Sequence, residues 1–329
     1  MKIDRVHFYV QDAVKTKDWF VDNIGFQPIY SQNNGNTQTE AIAYNSVKFL
    51  ISSPLNCFSP VSDYLNCHPS GIVDIAFRTE NINSIITKAE QLGIEILEYP
   101  QSDRTEAKIA GWGSLQHTLI DENSEEKFYS NDSYIVAIDH VVLNVPPGEL
   151  TPAVDFYRTL FDFEVQQTFN IQTAQSGLYS QALIDRTGGV QFNINEPTAA
   201  NSQIQEFIEL NHGAGIQHLA LRSLDLIEAV AQMRQRRVNF LHIPETYYHY
   251  SNKRENISES EWSAIQTQQI LIDSDRATPE SLLMQIFTQP IFEQPTFFLE
   301  FIERRGHARG FGKGNFQALF EAVEREVLF

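Results

Sequence analysis

The sequence predicts an α+β protein made of two homologous halves, each half a pair of β-α-β-β-β modules. Three observations predict it. Gly71-Ile72-Val73-Asp74-Ile75-Ala76-Phe77-Arg78 matches Gly215-Ile216-Gln217-His218-Leu219-Ala220-Leu221-Arg222, and the match continues without a gap through a helix to Tyr99-Pro100 in one copy and Ile243-Pro244 in the other. Self-similarity held at one constant, long offset is the mark of a repeated architecture. Ile3-Asp4-Arg5-Val6 returns as Ile138-Asp139-His140-Val141, each copy followed by a helix carrying Asp18-Trp19-Phe20 or Asp155-Phe156-Tyr157. Between the copies lies Asp121 to Ser133, rich in Glu, Asn, Asp and Ser, which suits a linker or exposed hairpin. The expected division is therefore 1–133 and 134–329.

Taken in order, the first module reads as a strand from Ile3 to Val10, an amphipathic helix from Val14 to Asn23 and a strand from Phe26 to Ser31. The third module repeats it: a strand opening at Ile138, a helix from Thr151 to Leu160, and an extended segment from Phe163 to Phe169. In the second half, Glu245 to Gln268 is a polar insertion, and Ser258-x-x-Glu261 inside it is a capping box that starts a short helix. The chain closes with Phe297 to Ile302, an apolar strand broken by Glu300. A carboxylate there is expensive unless it is paired or holds a metal. Gly310, Gly312 and Gly314 follow, then a helix from Asn315 to Val327 with Phe316, Leu319, Phe320 and Val323 on one face. Glycines give the backbone freedom to hinge, so the helix is expected to close as a lid that keeps water from the site. A static terminal helix packed on the sheet is the plainer reading.

Composition narrows the function. The chain has 329 residues, 42% hydrophobic and 12% aromatic, enough for a packed core without cross-links. Its two cysteines, Cys57 and Cys67, lack tight metal-ligand spacing and are expected as free thiols. The start Met1-Lys2-Ile3-Asp4-Arg5 has no signal-peptide apolar core, and no apolar run reaches membrane-span length. A soluble cytoplasmic protein is expected. A formal charge of −18 with pI ≈ 4.9 argues against a nucleic-acid footprint, which needs a basic face. An anionic substrate must then be attracted locally, against the field of the whole molecule.

The repeat exposes a contrast. Where the first half has Arg5 and Asp74, the second has His140 and His218, and Glu300 follows on a later strand at a similar interval. One ligand per module gives such spacing. Two imidazoles and one carboxylate make a facial triad that leaves adjacent positions open, suited to Fe(II), O₂ and a chelating substrate; zinc more often has a tetrahedral site with one open position. A lone strand histidine is more often a hydrogen-bonded core residue, and that reading stands for His7, His68, His117, His212, His242, His249 and His307. Two histidines at repeat-equivalent places, joined by a carboxylate in an apolar run, favour the metal.

From Ile138 to the C-terminus the residues carry a resemblance. Asp139-His140, Ile194-Asn195-Glu196-Pro197, Ser202-Gln203-Ile204-Gln205-Glu206, Gly213-Ala214-Gly215-Ile216-Gln217-His218, Leu283-Met284-Gln285-Ile286-Phe287-Thr288, Phe298-Leu299-Glu300 and Gly310-Phe311-Gly312-Lys313-Gly314-Asn315-Phe316 occur in one order. This half resembles the 4-hydroxyphenylpyruvate dioxygenase family of the vicinal-oxygen-chelate superfamily; the first half matches in fold and is far more divergent. The resemblance implies an open half-barrel around each site, with catalysis in the second half. It implies Fe(II) on His140, His218 and Glu300, with Gln285, Phe287 and Gln217 in the catalytic surround. Ser180, Asn195 and Gln203 are the implied polar substrate contacts, and Phe311, Phe316 and Phe320 the aromatic ones. Where the family has Pro-Ile-Asn-Glu-Pro, this chain has Asn193-Ile194-Asn195-Glu196-Pro197.

The implied reaction converts 4-hydroxyphenylpyruvate and O₂ to homogentisate and CO₂. The alternatives are a hydroxymandelate synthase with the same triad, against which Phe316 argues, and a metal-free binding or resistance protein on the same fold. No nucleic-acid or membrane partner is expected, and the expected assembly is a homodimer or homotetramer.

Overall fold

The computed structural model describes residues 1–101, 106–121, 134–172, 177–249, 257–273, 281–306, 308–312 and 315. The expected linker, save Asp121, and the expected lid helix, save Asn315, lie outside the described residues, as do Gly314, Phe316 and Phe320.

The first half runs β1 (Lys2–Tyr9), α1 (Ala13–Trp19), β2 (Gln27–Asn33), β3 (Thr37–Tyr44), β4 (Val47–Pro54), α2 (Pro60–Cys67), β5 (Gly71–Thr79), α3 (Ile82–Gln91), β6 (Ile96–Glu98), β7 (Glu106–Ala110) and β8 (Gln116–Asp121). The second runs β9 (Ile135–Asn144), α4 (Leu150–Phe161), β10 (Glu164–Gln172), β11 (Gly177–Ile184), β12 (Gln191–Pro197), α5 (Gln203–Asn211), β13 (Gly215–Ser223), α6 (Leu226–Gln235), α7 (Thr246–His249), α8 (Glu259–Gln268), β14 (Leu271–Asp273), β15 (Leu282–Phe287) and β16 (Phe298–Arg305). Each half forms one eight-stranded mixed sheet. The orders are β2-β3-β4-β1-β5-β8-β7-β6 and β10-β11-β12-β9-β13-β16-β15-β14, the same topology used twice. Two copies of one sheet topology bear out the doubled architecture expected from the repeat.

Local chemistry sets the element ends. Asn81 and Asp225, at repeat-equivalent places, cap α3 and α6 by accepting from the N–H groups of Ser84 (3.0 Å) and Glu228 (3.1 Å), which satisfies donors a helix N-terminus otherwise leaves orphaned. The helix expected from Val14 to Asn23 divides: α1 passes into a π-helical turn, Phe20–Ile24, that ends on Gly25 at φ 104°. Ser258 caps α8 as the capping box requires, but Glu261 turns away to pair with Arg305. The polar insertion is only partly polar, since Tyr248 and Trp262 from it are buried in the core.

Strand alternation gives each sheet two faces. Facing the helices, Val141, Leu143, Phe192, Ile194, Leu219, Leu221, Leu299 and Phe301 join residues of the first half in one apolar cluster. Phe8 meets Phe297 with ring centroids 5.3 Å apart, and Phe77 meets Phe161 at 5.2 Å, so the two halves share this core. The opposite face of the second sheet carries His140, His218 and Glu300. Cys57 and Cys67 are free and exposed.

Candidate metal centre

β9, β13 and β16 are adjacent, and they carry His140, His218 and Glu300 respectively. Register aligns them. Ala220 on β13 sits opposite His140 on one side and Glu300 on the other, with His218 two residues back along the strand. Because Ala220 ends at Cβ, the space above it stays open to the three longer side chains. All three are buried, and one ligand atom from each lies within 4.8 Å of the others. Glu300 Oε2 is the shared corner, 3.2 Å from His140 Nε2 and 3.5 Å from His218 Nε2.

Further groups hold these ligands in place. His140 Nδ1 lies 3.0 Å from Asp139 Oδ1, and Arg304 grips both oxygens of that carboxylate at 2.9 and 2.6 Å. Arg304 also donates to the carbonyl of Gly310 (2.7 Å). Gln285 Nε2 donates to Glu300 Oε1 at 2.7 Å, which leaves Oε2 for the imidazoles. Asn315 Nδ2 donates to Gln285 Oε1 at 2.7 Å, and Tyr247 OH donates to Asn315 Oδ1 at 3.1 Å. Outer partners of this kind fix ring tautomers and carboxylate orientation in metal sites.

Electrostatics follow from the pairing. Burial opposes a charged His140, but Glu300 and Asp139 outweigh it and raise its pKa to about 9. Against the same burial, His140 and His218 bring Glu300 down to about 2. Asp139, despite its burial, is held well below the usual carboxylate range by Arg304 and His140. His218 is lowered, because burial exceeds what Glu300 returns. Beyond the 3.5 Å approach of Glu300 to Nε2, neither ring nitrogen of His218 has a well-aligned hydrogen-bond partner among the described residues. A neutral, orphaned imidazole beside an ionised carboxylate and a second imidazole fits a divalent cation as a ligand set. Among the described residues, this is the one group of three or more His, Cys, Asp or Glu side chains so placed.

In the first half, Arg5 stands opposite Ala76 as His140 stands opposite Ala220. Arg5 is tied to Glu106 by two bonds of 3.2 and 2.9 Å, and Asp74 accepts from the N–H (2.9 Å) and hydroxyl of Thr118. A guanidinium supplies the positive charge there, so this half holds an internal ion pair where its twin has metal-ligating groups.

Aromatic rings line the second site. Phe311 meets His140 edge-on at 5.1 Å, Phe298 stacks on His218 at 4.7 Å, and Phe287 meets His218 edge-on at 6.4 Å. Gly310 and Gly312 have φ of 81° and 68°, a region that favours glycine, and they turn the chain so that Phe311 between them is buried. Beside it, Phe169, Ile171, Leu178, Ala182 and Ile204 form a small apolar cluster with Phe311.

A sequence profile described as Glyoxalase/Bleomycin resistance protein/Dioxygenase superfamily matches residues 137–254. The chain is 32% identical to 4-hydroxyphenylpyruvate dioxygenase of Dictyostelium discoideum, covering 98% of this chain and 97% of that protein. For the enzyme of the same name from Yarrowia lipolytica the identity is 31%, over 98% and 91% of the two chains.

This chain belongs to the 4-hydroxyphenylpyruvate dioxygenase family.

It is also 38% identical to an uncharacterized protein of Synechocystis, over 98% and 97% of the two chains. Among solved structures it resembles a triple mutant of 4-hydroxymandelate synthase from Streptomyces coelicolor, with TM-score 0.89, 26% identity and coverage of 99% and 98%. It is an oxygenase of the 4-hydroxyphenylpyruvate dioxygenase type.

In this dioxygenase-family fold, His140, His218, Glu300, Gln285, Phe287 and Phe311 come together as described. Ser180 and Asn195 are paired across β11 and β12, and Asn195 is paired with Asn144 on β9, so these three form one row on the same sheet face. Gln203 is the first residue of α5, next to Ile204 of the small apolar cluster. Gln217 is half-buried at a β-bulge one residue before His218. Phe316 and Phe320 lie outside the described residues.

Sequence reasoning missed Asp139, Arg304, Phe298, Asn144 and Tyr247. Asp139 had an ambiguous signal, because its repeat mate Asp4 also precedes the ligand position and there pairs with Arg5 and Arg78. Tyr247 lies in the stretch that reads as a polar insertion.

Proposed function

We propose that this oxygenase binds Fe(II) at His140, His218 and Glu300 and converts 4-hydroxyphenylpyruvate and O₂ to homogentisate and CO₂. The observation that carries the reading is the buried triad on three adjacent strands, in a chain of this family. Three protein ligands leave adjacent positions for a chelating 2-oxo acid and O₂. When bound there, Fe(II) supplies the O₂ activation that couples loss of CO₂ to hydroxylation.

The chain's own share is binding, orientation and exclusion of water. Asp139, held by Arg304, keeps the His140 Nδ1–H engaged and the Nε2 lone pair toward the metal. Gln285 does the same for Glu300 Oε2. Phe311 and Phe287 flank the ring, and Ser180, Asn195 and Gln203 receive its hydroxyl at the far end, because amides and hydroxyls bind a phenol without a buried charge. The apolar cluster around Phe311 keeps that end dry, where polar contacts gain strength. We assign this chemistry to residues 134–329, with 1–133 as the non-catalytic half.

The likeness to 4-hydroxymandelate synthase keeps a second reading in play, oxygen delivered to the benzylic carbon. Product analysis separates the two. Anaerobically purified protein loaded with Fe(II), then given 4-hydroxyphenylpyruvate and O₂, should form homogentisate and an equal amount of CO₂. Hydroxymandelate as the sole product would replace the proposal with the second reading. His140→Ala, His218→Ala and Glu300→Ala should each lose iron and turnover with circular dichroism intact; full activity in any of them would overturn the metal assignment. Protein that purifies and works without iron would support the metal-free reading instead.

A further inference from the structure

β12 alternates between two environments. Phe192 and Ile194 lie in the shared core, so Asn193 and Asn195 point to the opposite, metal-bearing face. Asn193 is 1% exposed, and neither its Nδ2 nor its Oδ1 has a hydrogen-bond partner among the described residues. The pattern this chain resembles has a proline here, which offers no polar side chain. In register, Asn193 lies between Ala182 on β11 and Val142 on β9, and Val142 is paired with His218. The carboxamide therefore occupies the same cross-strand row as the metal ligand His218, next to the row of Ser180, Asn195 and Asn144.

That outer row has its own unfilled capacity. Asn195 Nδ2 donates to Asn144 Oδ1 at 3.1 Å, but Asn144 Nδ2 and Ser180 Oγ are unpartnered. A phenolic hydroxyl offers one donor and two lone pairs, and at the outer row it satisfies Ser180 and Asn144. It does not also reach Asn193, which stands two residues, roughly 7 Å, back along the strand. Buried amides are almost always partnered, and Asn193 presents a donor and an acceptor together.

We propose that Asn193 is a specificity-determining residue that reads a second hydrogen-bonding substituent on the substrate ring, tuning this oxygenase toward aryl 2-oxo acids with adjacent hydroxyls, the 3,4-dihydroxyphenylpyruvate class. An adjacent hydroxyl both accepts from Nδ2 and donates to Oδ1. The inference rests on the proposed dioxygenase function and deepens it.

The test compares 3,4-dihydroxyphenylpyruvate with 4-hydroxyphenylpyruvate in the iron-loaded wild type and in Asn193→Leu and Asn193→Pro. Both kcat/KM under O₂ and Kd by anaerobic calorimetry are measured. The ratio of dihydroxy to monohydroxy kcat/KM should fall on the order of tenfold or more in the variants, with a matching shift in the Kd ratio and unchanged iron content. A structural role would lower both substrates together and leave the ratios alone. If Asn193→Leu or Asn193→Pro misfolds, Asn193→Ala gives the same comparison with less bulk. Unchanged ratios with 4-hydroxyphenylpyruvate still turned over would overturn this inference and spare the function. Failure to consume either acid would overturn the function and this inference with it.

Discussion

Replacing Asp139 by asparagine probes how the protein prepares its metal ligands. Asp139 is buried, accepts two bonds from Arg304 and faces His140 Nδ1. The substituted side chain is nearly isosteric but neutral, so one Arg304 contact becomes donor against donor and the His140 ring loses its anionic partner. Loss of an outer partner to a ligating histidine costs 10- to 100-fold in metal affinity, about 1.4–2.7 kcal/mol. Breaking a buried pair by neutralising one member costs up to about 3–5 kcal/mol of stability, and the surviving amide oxygen should keep Asp139→Asn near the low end of that range. The assay is calorimetric titration of metal-free protein with Fe(II) under nitrogen, beside a denaturant melt. Asp4→Asn is the control, because Asp4 holds the repeat-equivalent place and pairs with Arg5 and Arg78 far from any metal ligand. It should lower stability and leave Fe(II) affinity alone. Affinity within about twofold of wild type in a folded Asp139→Asn, or an equal loss in Asp4→Asn, would refute the reasoning.

Three further outcomes are expected. Ala220→Leu should overpack the space between His140 and Glu300, destabilise the protein by about 1–3 kcal/mol and weaken Fe(II) binding, while Ala220→Gly keeps the metal; equal iron content in the leucine variant would contradict the packing argument. Gly312→Ala places a methyl against Gln285 Oε1 at a positive φ, so it should cost about 1–2 kcal/mol from the backbone alone and loosen the Gln285–Asn315 bond, read as a lower melting temperature with reduced turnover. His117 is buried between the carbonyl of Ile75 and the hydroxyl of Tyr157 at the junction of the halves, and burial lowers its pKa from 6.5 to about 4. The folded state therefore takes up this proton later than the unfolded chain as pH falls: the stability it protects is complete above 6.5 and is lost between there and about 4. Near pH 5 the loss should be about 2 kcal/mol, and His117→Gln should flatten that part of the curve; identical pH profiles for the two proteins would remove His117 as the cause.

The sequence by itself determined the doubled architecture and the three metal-ligand candidates. Strand and helix periodicities are local, and a duplication copies them at a constant offset within each matched stretch, so Asp74 and His218 could be compared as mates before any coordinates. Glu300 was legible for a related reason: a carboxylate in Phe297 to Ile302 violates local patterning, and such violations need a partner. What only the tertiary structure decided is how those ligands are held. Arg304 reaches Asp139 across 165 residues of chain, Tyr247 reaches Asn315 across 68, and Gln285 reaches Glu300 from the neighbouring strand, through packing and register that no local pattern encodes. Gln217 shows the converse. It adjoins His218 in sequence, yet a β-bulge sets it apart from the hydrogen-bonded groups around the ligands. The carboxamide of Asn193 belongs to the same class: the sequence showed an unusual residue, and only the placement of Ala182 and Val142 on either side left its two polar atoms without a partner among the described residues.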